Sequence, residues 1–69
     1  MDQDGLRRVL LGEKEKREQT WRKISENSGV AYSTITNFVM HTRNTSLDVA
    51  IRLLDAVGLE LCVRRKKHE

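Results

Sequence analysis

The stretch Thr20–Phe38, T-W-R-K-I-S-E-N-S-G-V-A-Y-S-T-I-T-N-F, carries the strongest structural signal in this chain. Its well-spaced apolar residues are Ile24, Val30, Ile35 and Phe38. That spacing brings all four to one side if two short helices are joined by a tight turn. Gly29 stands between the two halves and can adopt the left-handed conformation that a residue with a Cβ adopts only at a cost. The stretch therefore predicts a helix, a turn and a second helix.

A small residue at Ser25 allows the second helix to cross close over the first. Two short helices that cross steeply in this way form a helix-turn-helix, which presents its second helix to the major groove of DNA. The sequence thus predicts a helix-turn-helix over residues 20–38, with a core made by its four apolar positions.

Helical patterns flank this motif on both sides. A first helix is predicted over about Gln3–Arg17, with Glu13 and Arg17 paired four residues apart. The helix predicted from Tyr32 lacks a capping oxygen at Ala31. The helices predicted from Trp21 and Leu47 each follow a good N-cap residue. The apolar stripe of the first helix is Leu6, Val9, Leu10 and in part Leu11. The remaining predicted helices are Trp21–Ser28 after Thr20, about Tyr32–Met40, and Leu47–Val57 between Ser46 and Gly58.

The end of the chain predicts a partner. The fourth helix is apolar over a wide arc, and the segment 59–64, L-E-L-C-V-R, alternates as a short strand does. One isolated strand is not stable in water, so the economical partner is the same strand of a second copy across a two-fold axis. The predicted dimer interface consists of Leu53, Val57, Leu59, Leu61 and Val63.

Composition limits the class of protein. Sixty-nine residues with 33% charged side chains fit one small domain, residues 1–69, and a net charge of +3 mildly favours a polyanionic partner. The one cysteine, Cys62, leaves no intrachain disulfide and no cysteine-built zinc site. No apolar run approaches the ~20 residues of a membrane helix, and the acidic start M-D-Q-D-G is unlike a secretory signal. The expected location is the cytoplasm, at the nucleoid.

Three blocks together resemble the phage repressor and Cro family of helix-turn-helix regulators over about residues 20–61. They are I-S-E-N-S-G-V-A-Y-S-T-I-T-N-F from residue 24, T-R-N-T from residue 42, and S-L-D-V-A-I-R-L-L-D-A-V-G-L-E-L from residue 46. The ending G-L-E-L-C-V is also similar to small antitoxin repressors of that family, whose C-terminal strands pair in a dimer. The resemblance implies an all-α, lambda repressor-like domain of four to five helices with a C-terminal strand.

Five positions depart from the family pattern. Trp21 stands where a glutamine usually touches a phosphate, and Ser25 replaces the usual alanine. His41 replaces the glycine that commonly ends the recognition helix. Val39 replaces a common glutamate, so a buried ion pair of some members is missing, and Gln19 stands where an aliphatic residue is common.

The resemblance also assigns DNA contacts. The family's base-reading positions correspond to Tyr32, Ser33 and Asn37, and Thr36 shares their outward face; an ordinary polar helix face is the alternative. Asn37 can form a bidentate pair with adenine. Candidates for the DNA backbone lie at the start of the second helix, where amide groups attract anions, and in the loop after the third helix. They are Thr20, Trp21, Arg22, Lys23, Thr42, Arg43 and Asn44.

Several of these residues also have plain structural interpretations. Thr20 is a cap, Trp21 is better suited to packing, and the charges of Arg22 and Lys23 suit any solvated face. In the basic tail Arg64–Lys67, a solubilising role is favoured over a DNA-binding arm.

The sequence thus favours a dimeric, sequence-specific DNA-binding regulator, most simply a repressor that occupies an operator, in a phage, prophage or antitoxin setting. The alternative is a protein-binding module of the same fold, such as an antitoxin or anti-repressor, with little DNA binding. No nucleophile and base are paired, and Asp48 and Asp55 suit solvated or capping roles, so no catalytic residue and no enzyme is expected. His41 and His68 lack a ligand set, so neither a metal nor a cofactor is expected. Operator sequence, target genes and the direction of regulation stay open.

Overall fold

Four helices make up the structure, a computed structural model that describes residues 2–62 and residue 65. They are α1 (Gln3–Lys16), α2 (Trp21–Ser28), α3 (Tyr32–Val39) and α4 (Leu47–Ala56). Each boundary lies within one residue of the sequence prediction, and the described residues contain no strand. The predicted all-α domain is therefore confirmed. No helix in this described part is long and apolar enough to cross a membrane.

Side-chain caps explain where three helices begin. The hydroxyls of Thr20 and Ser46 accept backbone N–H bonds at 3.1 and 3.2 Å, as their sequence positions predict. Asp2 caps α1 in the same way, through a 2.7 Å bond from the N–H of Gly5 that lowers the pKa of the Asp2 carboxyl. At the start of α3, Ala31 makes no side-chain cap. That helix is held by packing rather than by its own N-terminus.

The core is entirely apolar among the described residues and takes contributions from all four helices. α2 packs against α3 and α4, while α1 packs against α4. The four apolar positions of the stretch 20–38 are at most 5% exposed, as predicted. The buried residues are Leu6, Leu10, Ile24, Val30, Ile35, Phe38, Ala50, Leu53, Leu54 and Val57.

Two residues of the predicted dimer interface belong to this core instead. Leu53 is 1% exposed and Val57 is fully buried, so neither side chain has surface left for a second copy. Leu53 lies on the side of α4 that the other helices cover, and Val57 follows directly after the helix. The structure therefore places both side chains in the core of the single chain, whereas the sequence prediction placed them in a dimer interface.

The predicted strand 59–64 is only partly described. Leu59–Cys62 form neither helix nor strand in the single chain. Leu59 packs partly against the core, whereas Leu61 is 40% exposed. Val63 and Arg64 lie outside the described residues, as does the basic tail apart from Arg65. Pairing with a second copy remains a prediction.

Candidate nucleic-acid interface

The outward face of α3 collects the predicted base-reading residues. Ile35 and Phe38 point into the core at 0% and 1% exposure, which turns the opposite side of the helix to solvent. Tyr32, Ser33 and Asn37 are exposed there. Positions 32, 33, 36 and 37 share one helical face because they follow the i, i+4 spacing. Thr36 is half-covered, and its hydroxyl donates to the carbonyl of Ser33 at 3.1 Å.

A stacked pair joins α2 to the start of α3. The guanidinium carbon of Arg22 lies 4.4 Å from the ring centroid of Tyr32. This distance is within the range of a cation–π contact, which favours a cation over the face of an aromatic ring. A predicted backbone-binding residue and a predicted base-reading residue are thus presented to solvent as one unit.

Serine hydroxyls fix the turn between α2 and α3. Ser25 Oγ donates to the carbonyl of Val30 at 2.6 Å, and the N–H of Val30 donates to Ser28 Oγ at 3.1 Å. Gly29 has a φ of 75°, the left-handed conformation predicted for it. From the sequence Ser25 was identified only as small. Its hydroxyl gives the departure from alanine a structural reason.

The start of α2 separates packing from exposed charge. Trp21 is half-buried against the core, with the ammonium of Lys14 5.3 Å from its ring centroid. Thr20, Arg22 and Lys23 are exposed. Trp21 thus has the packing role that its apolar ring suggests, while the two cations stand free of the core.

The loop after α3 folds back onto the helix. His41 has a φ of 64°, a left-handed backbone at the position where the resembling family has glycine. The N–H groups of Thr42 and Arg43 both donate to the carbonyl of Asn37, at 2.9 and 3.1 Å. Thr42, Arg43 and Asn44 are exposed. The predicted backbone-binding loop therefore lies directly beside the predicted base-reading residue Asn37.

α1 anchors this loop through residues that sequence reasoning missed. Gln3 and Thr45 exchange two hydrogen bonds, Thr45 N–H to Oε1 at 2.9 Å and Nε2 to the Thr45 carbonyl at 3.2 Å. Arg7 donates to the carbonyls of Phe38 and Arg43 and to the side chain of Asn44. These partners are 31 to 42 residues away along the chain, so no local pattern signals them.

Chemically, the surface offers hydrogen-bond donors and cations. The exposed groups around α3 are an amide, hydroxyls and the positive charges of Arg22, Lys23 and Arg43. Glu26 lies 3.9 Å from the Lys23 ammonium, but an exposed pair at this distance is weak. Within the described residues, no three carboxylate, thiol or imidazole groups gather as a metal site would require.

Comparison of the chain with known proteins returns no match to any family model, curated protein or solved structure. The geometry of α2, α3 and the loop that follows them is therefore the basis for a functional proposal.

Proposed function

We propose that this chain is a sequence-specific DNA-binding regulator of the phage repressor and Cro type, with α2 and α3 as its helix-turn-helix. The observation that carries the proposal is the exposed polar face of α3, with cations of α2 and of the following loop beside it. An α-helix fits the major groove, where base pairs present distinct patterns of donors and acceptors. Positive charge on both sides of α3 suits the two phosphate chains that border that groove.

In the proposed mechanism, some residues provide sequence specificity and others bind the DNA backbone. Asn37 reads adenine through its amide, and Tyr32 and Ser33 contact neighbouring base edges. Arg22 and Lys23 at the start of α2, together with the loop residues 42–44, bind phosphates and fix the register of α3. Thr20 places the free N–H groups of the first turn of α2 toward the same phosphates.

The chain acts as a symmetric dimer on a two-fold operator. Two recognition helices about 34 Å apart reach successive major grooves on one side of the duplex. A dimer bound in this way blocks access to the DNA that it covers. Repression by occupation of an operator is therefore the simplest regulatory outcome.

Selection of duplexes from a random pool, followed by titration of variants, tests the proposal. Asn37→Ala should lower affinity for the selected operator by about 1–3 kcal/mol but change binding to random DNA little. Arg43→Ala should weaken both, with a salt slope shallower by about one unit per protomer, because one phosphate contact is lost. Asn27→Ala, an exposed asparagine on α2, is the control and should leave both affinities unchanged.

Two results would contradict these assignments. If Asn37→Ala loses affinity equally for operator and random DNA, Asn37 does not read bases. If the wild-type chain enriches no sequence from the pool, the face does not serve sequence-specific binding.

A surface depression favours one second candidate, a protein-binding module of the same fold. About 490 Å³ of open space lies between α1, the start of α2 and the end of α3, with Leu11, Trp21 and Val39 in its lining. Leu11 is 46% exposed, and Met40, which lies in the chain between the lining residues Val39 and His41, is 72% exposed. Exposed apolar surface of this kind suits the side chains of a protein partner. Binding of such a partner without any DNA selection would decide for this candidate.

A further inference from the structure

Arg7 of α1 is almost buried although it is charged. Its side chain is 10% exposed, and its guanidinium carbon lies 4.5 Å from the ring centroid of Phe38. Its Nε donates to the carbonyl of Phe38 at 2.6 Å, and Nη1 donates to Asp4 at 2.8 Å. Nη2 donates to the carbonyl of Arg43 at 3.1 Å and to Asn44 Oδ1 at 3.3 Å. The planar fork thus binds four oxygens in three separate segments.

This set of acceptors ties the end of α3 to the loop behind it. The carbonyl of Phe38 lies in the last turn of α3, where it also accepts from the N–H of His41 at 3.1 Å and where the helix dipole favours a cation. The carbonyl of Arg43 lies five residues further along the chain. By binding both, Arg7 adds side-chain bonds from α1 to a loop whose Thr42 and Arg43 N–H groups already bond to the Asn37 carbonyl.

The contact to Asn44 also selects one orientation of its amide. An asparagine amide has one acceptor oxygen and an NH₂ group with two donors. Since Oδ1 accepts from Arg7, the NH₂ group is the end left for another partner. Asn44 is exposed, so a partner from solvent can reach its side chain, and a phosphate oxygen is an acceptor that suits its NH₂ group.

We infer that Arg7 is a positioning residue for DNA: it holds the loop 42–44 and orients the Asn44 amide so that its NH₂ group donates to a backbone phosphate. This inference rests on the proposed DNA-binding function. With a nearly buried side chain and four of its five N–H donors engaged, Arg7 acts through Asn44 and Arg43 and does not touch DNA itself. The sequence predicted the contact residues, but not the residue of another helix that places them.

A double-mutant cycle on the selected operator tests the inference. Asn44→Ala in the wild-type background should lower affinity about tenfold, the worth of one hydrogen bond to a charged group. In an Arg7→Met background the same change should cost less than about twofold, because the amide is no longer oriented. Arg8→Met is the matched control, since Arg8 is the next residue of α1, exposed and without a side-chain hydrogen bond in the described part. There, Asn44→Ala should keep its full cost.

If Arg7 only stabilises the fold, the double-mutant cycle should give a different result. All variants are titrated at a temperature at which circular dichroism shows them fully folded, so lost stability does not mimic lost contact. If the costs of Arg7→Met and Asn44→Ala multiply, Arg7 supports the fold only and the inference is wrong. Arg7→Lys, which keeps the charge but not the fork, should recover only part of the affinity.

Hydrogen exchange without DNA tests the role of Arg7 separately from the proposed DNA-binding function. Arg7→Met should speed exchange of the Thr42 and Arg43 amides, which bond to the Asn37 carbonyl, and leave the buried Ile24 amide unchanged. Unchanged loop exchange overturns the role of Arg7 while operator binding by the wild type stands. A wild-type chain that selects no operator overturns the proposed function, and with it the role of Arg7 at DNA.

Discussion

Gly29 and Gly12 differ in backbone conformation but not in the space around them. A Cβ built at either position meets no atom outside its immediate surroundings within 4 Å, so space does not distinguish them. Gly29 has a φ of 75° in the turn after α2, whereas Gly12 lies inside α1 with ordinary helical backbone. The left-handed conformation is costly for any residue with a Cβ, and a helix interior favours alanine over glycine.

Opposite effects on stability are therefore expected from the same substitution. Gly29→Ala should lower the free energy of unfolding by about 1 kcal/mol, because alanine strains the left-handed turn. Gly12→Ala should raise it by about 1 kcal/mol, through helix propensity. Denaturant unfolding measures both. A neutral or stabilising Gly29→Ala would mean that the turn does not have the conformation described.

At the scale of elements, the Arg22–Tyr32 stack couples α2 to α3 independently of the core. Truncating either side chain should remove the same contact, so the costs of Arg22→Ala and Tyr32→Leu should not add. The coupling expected for an exposed cation–π pair is about 0.5–1 kcal/mol, measured by denaturant unfolding of both single variants and the double variant. Tyr32→Phe keeps the ring and should keep the coupling. Lys23, exposed on the same helix, is the control and should show none with Tyr32.

Helix boundaries were predictable from local chemistry, whereas tertiary anchors were not. The caps Thr20 and Ser46 and the turn at Gly29 are signals within three or four residues, and all three hold in the structure. Arg7 meets partners 31 to 37 residues away, so its role appears only once α1 is placed against α3.

The solvent-exposed face of α3 was predictable for a similar reason, whereas the side of α4 that the core covers was not. Once the apolar residues of α3 are assigned to the core, the helical period predicts which of its residues face solvent. An apolar arc as wide as that of α4 does not show which part the other helices cover. Leu53 and Val57 were therefore assigned to a dimer although the chain buries them itself.

At the scale of the whole molecule, we expect a second copy to bind at the exposed apolar residues of α4 and of the described segment that follows it. Leu47 is 68% exposed, Ile51 is 47% exposed and Leu61 is 40% exposed. Leu61 lines two shallow depressions, one shared with Leu47 and the other with Ile51, so the three residues border continuous surface. This outer face, defined as Leu47, Ile51 and Leu61, takes the place of Leu53 and Val57 in the predicted interface. Leu61 belongs to the segment 59–64 that was predicted to pair.

A charge placed on this outer face should separate the dimer without unfolding the chain. Ile51→Lys puts an ammonium where two apolar surfaces would meet, and burying it unpaired is costly. Sedimentation at micromolar concentration should show a dimer for the wild type and a monomer for Ile51→Lys. Leu11→Lys, on α1 and exposed to nearly the same extent, is the control and should stay dimeric.

Because one half-site gives only part of the contacts, the Ile51→Lys monomer should bind the two-fold operator far more weakly while its helical content is unchanged. A wild-type chain that is monomeric both free and on DNA would show that the outer face does not bind a second copy, and a dimer broken by Leu11→Lys instead would place the interface on α1.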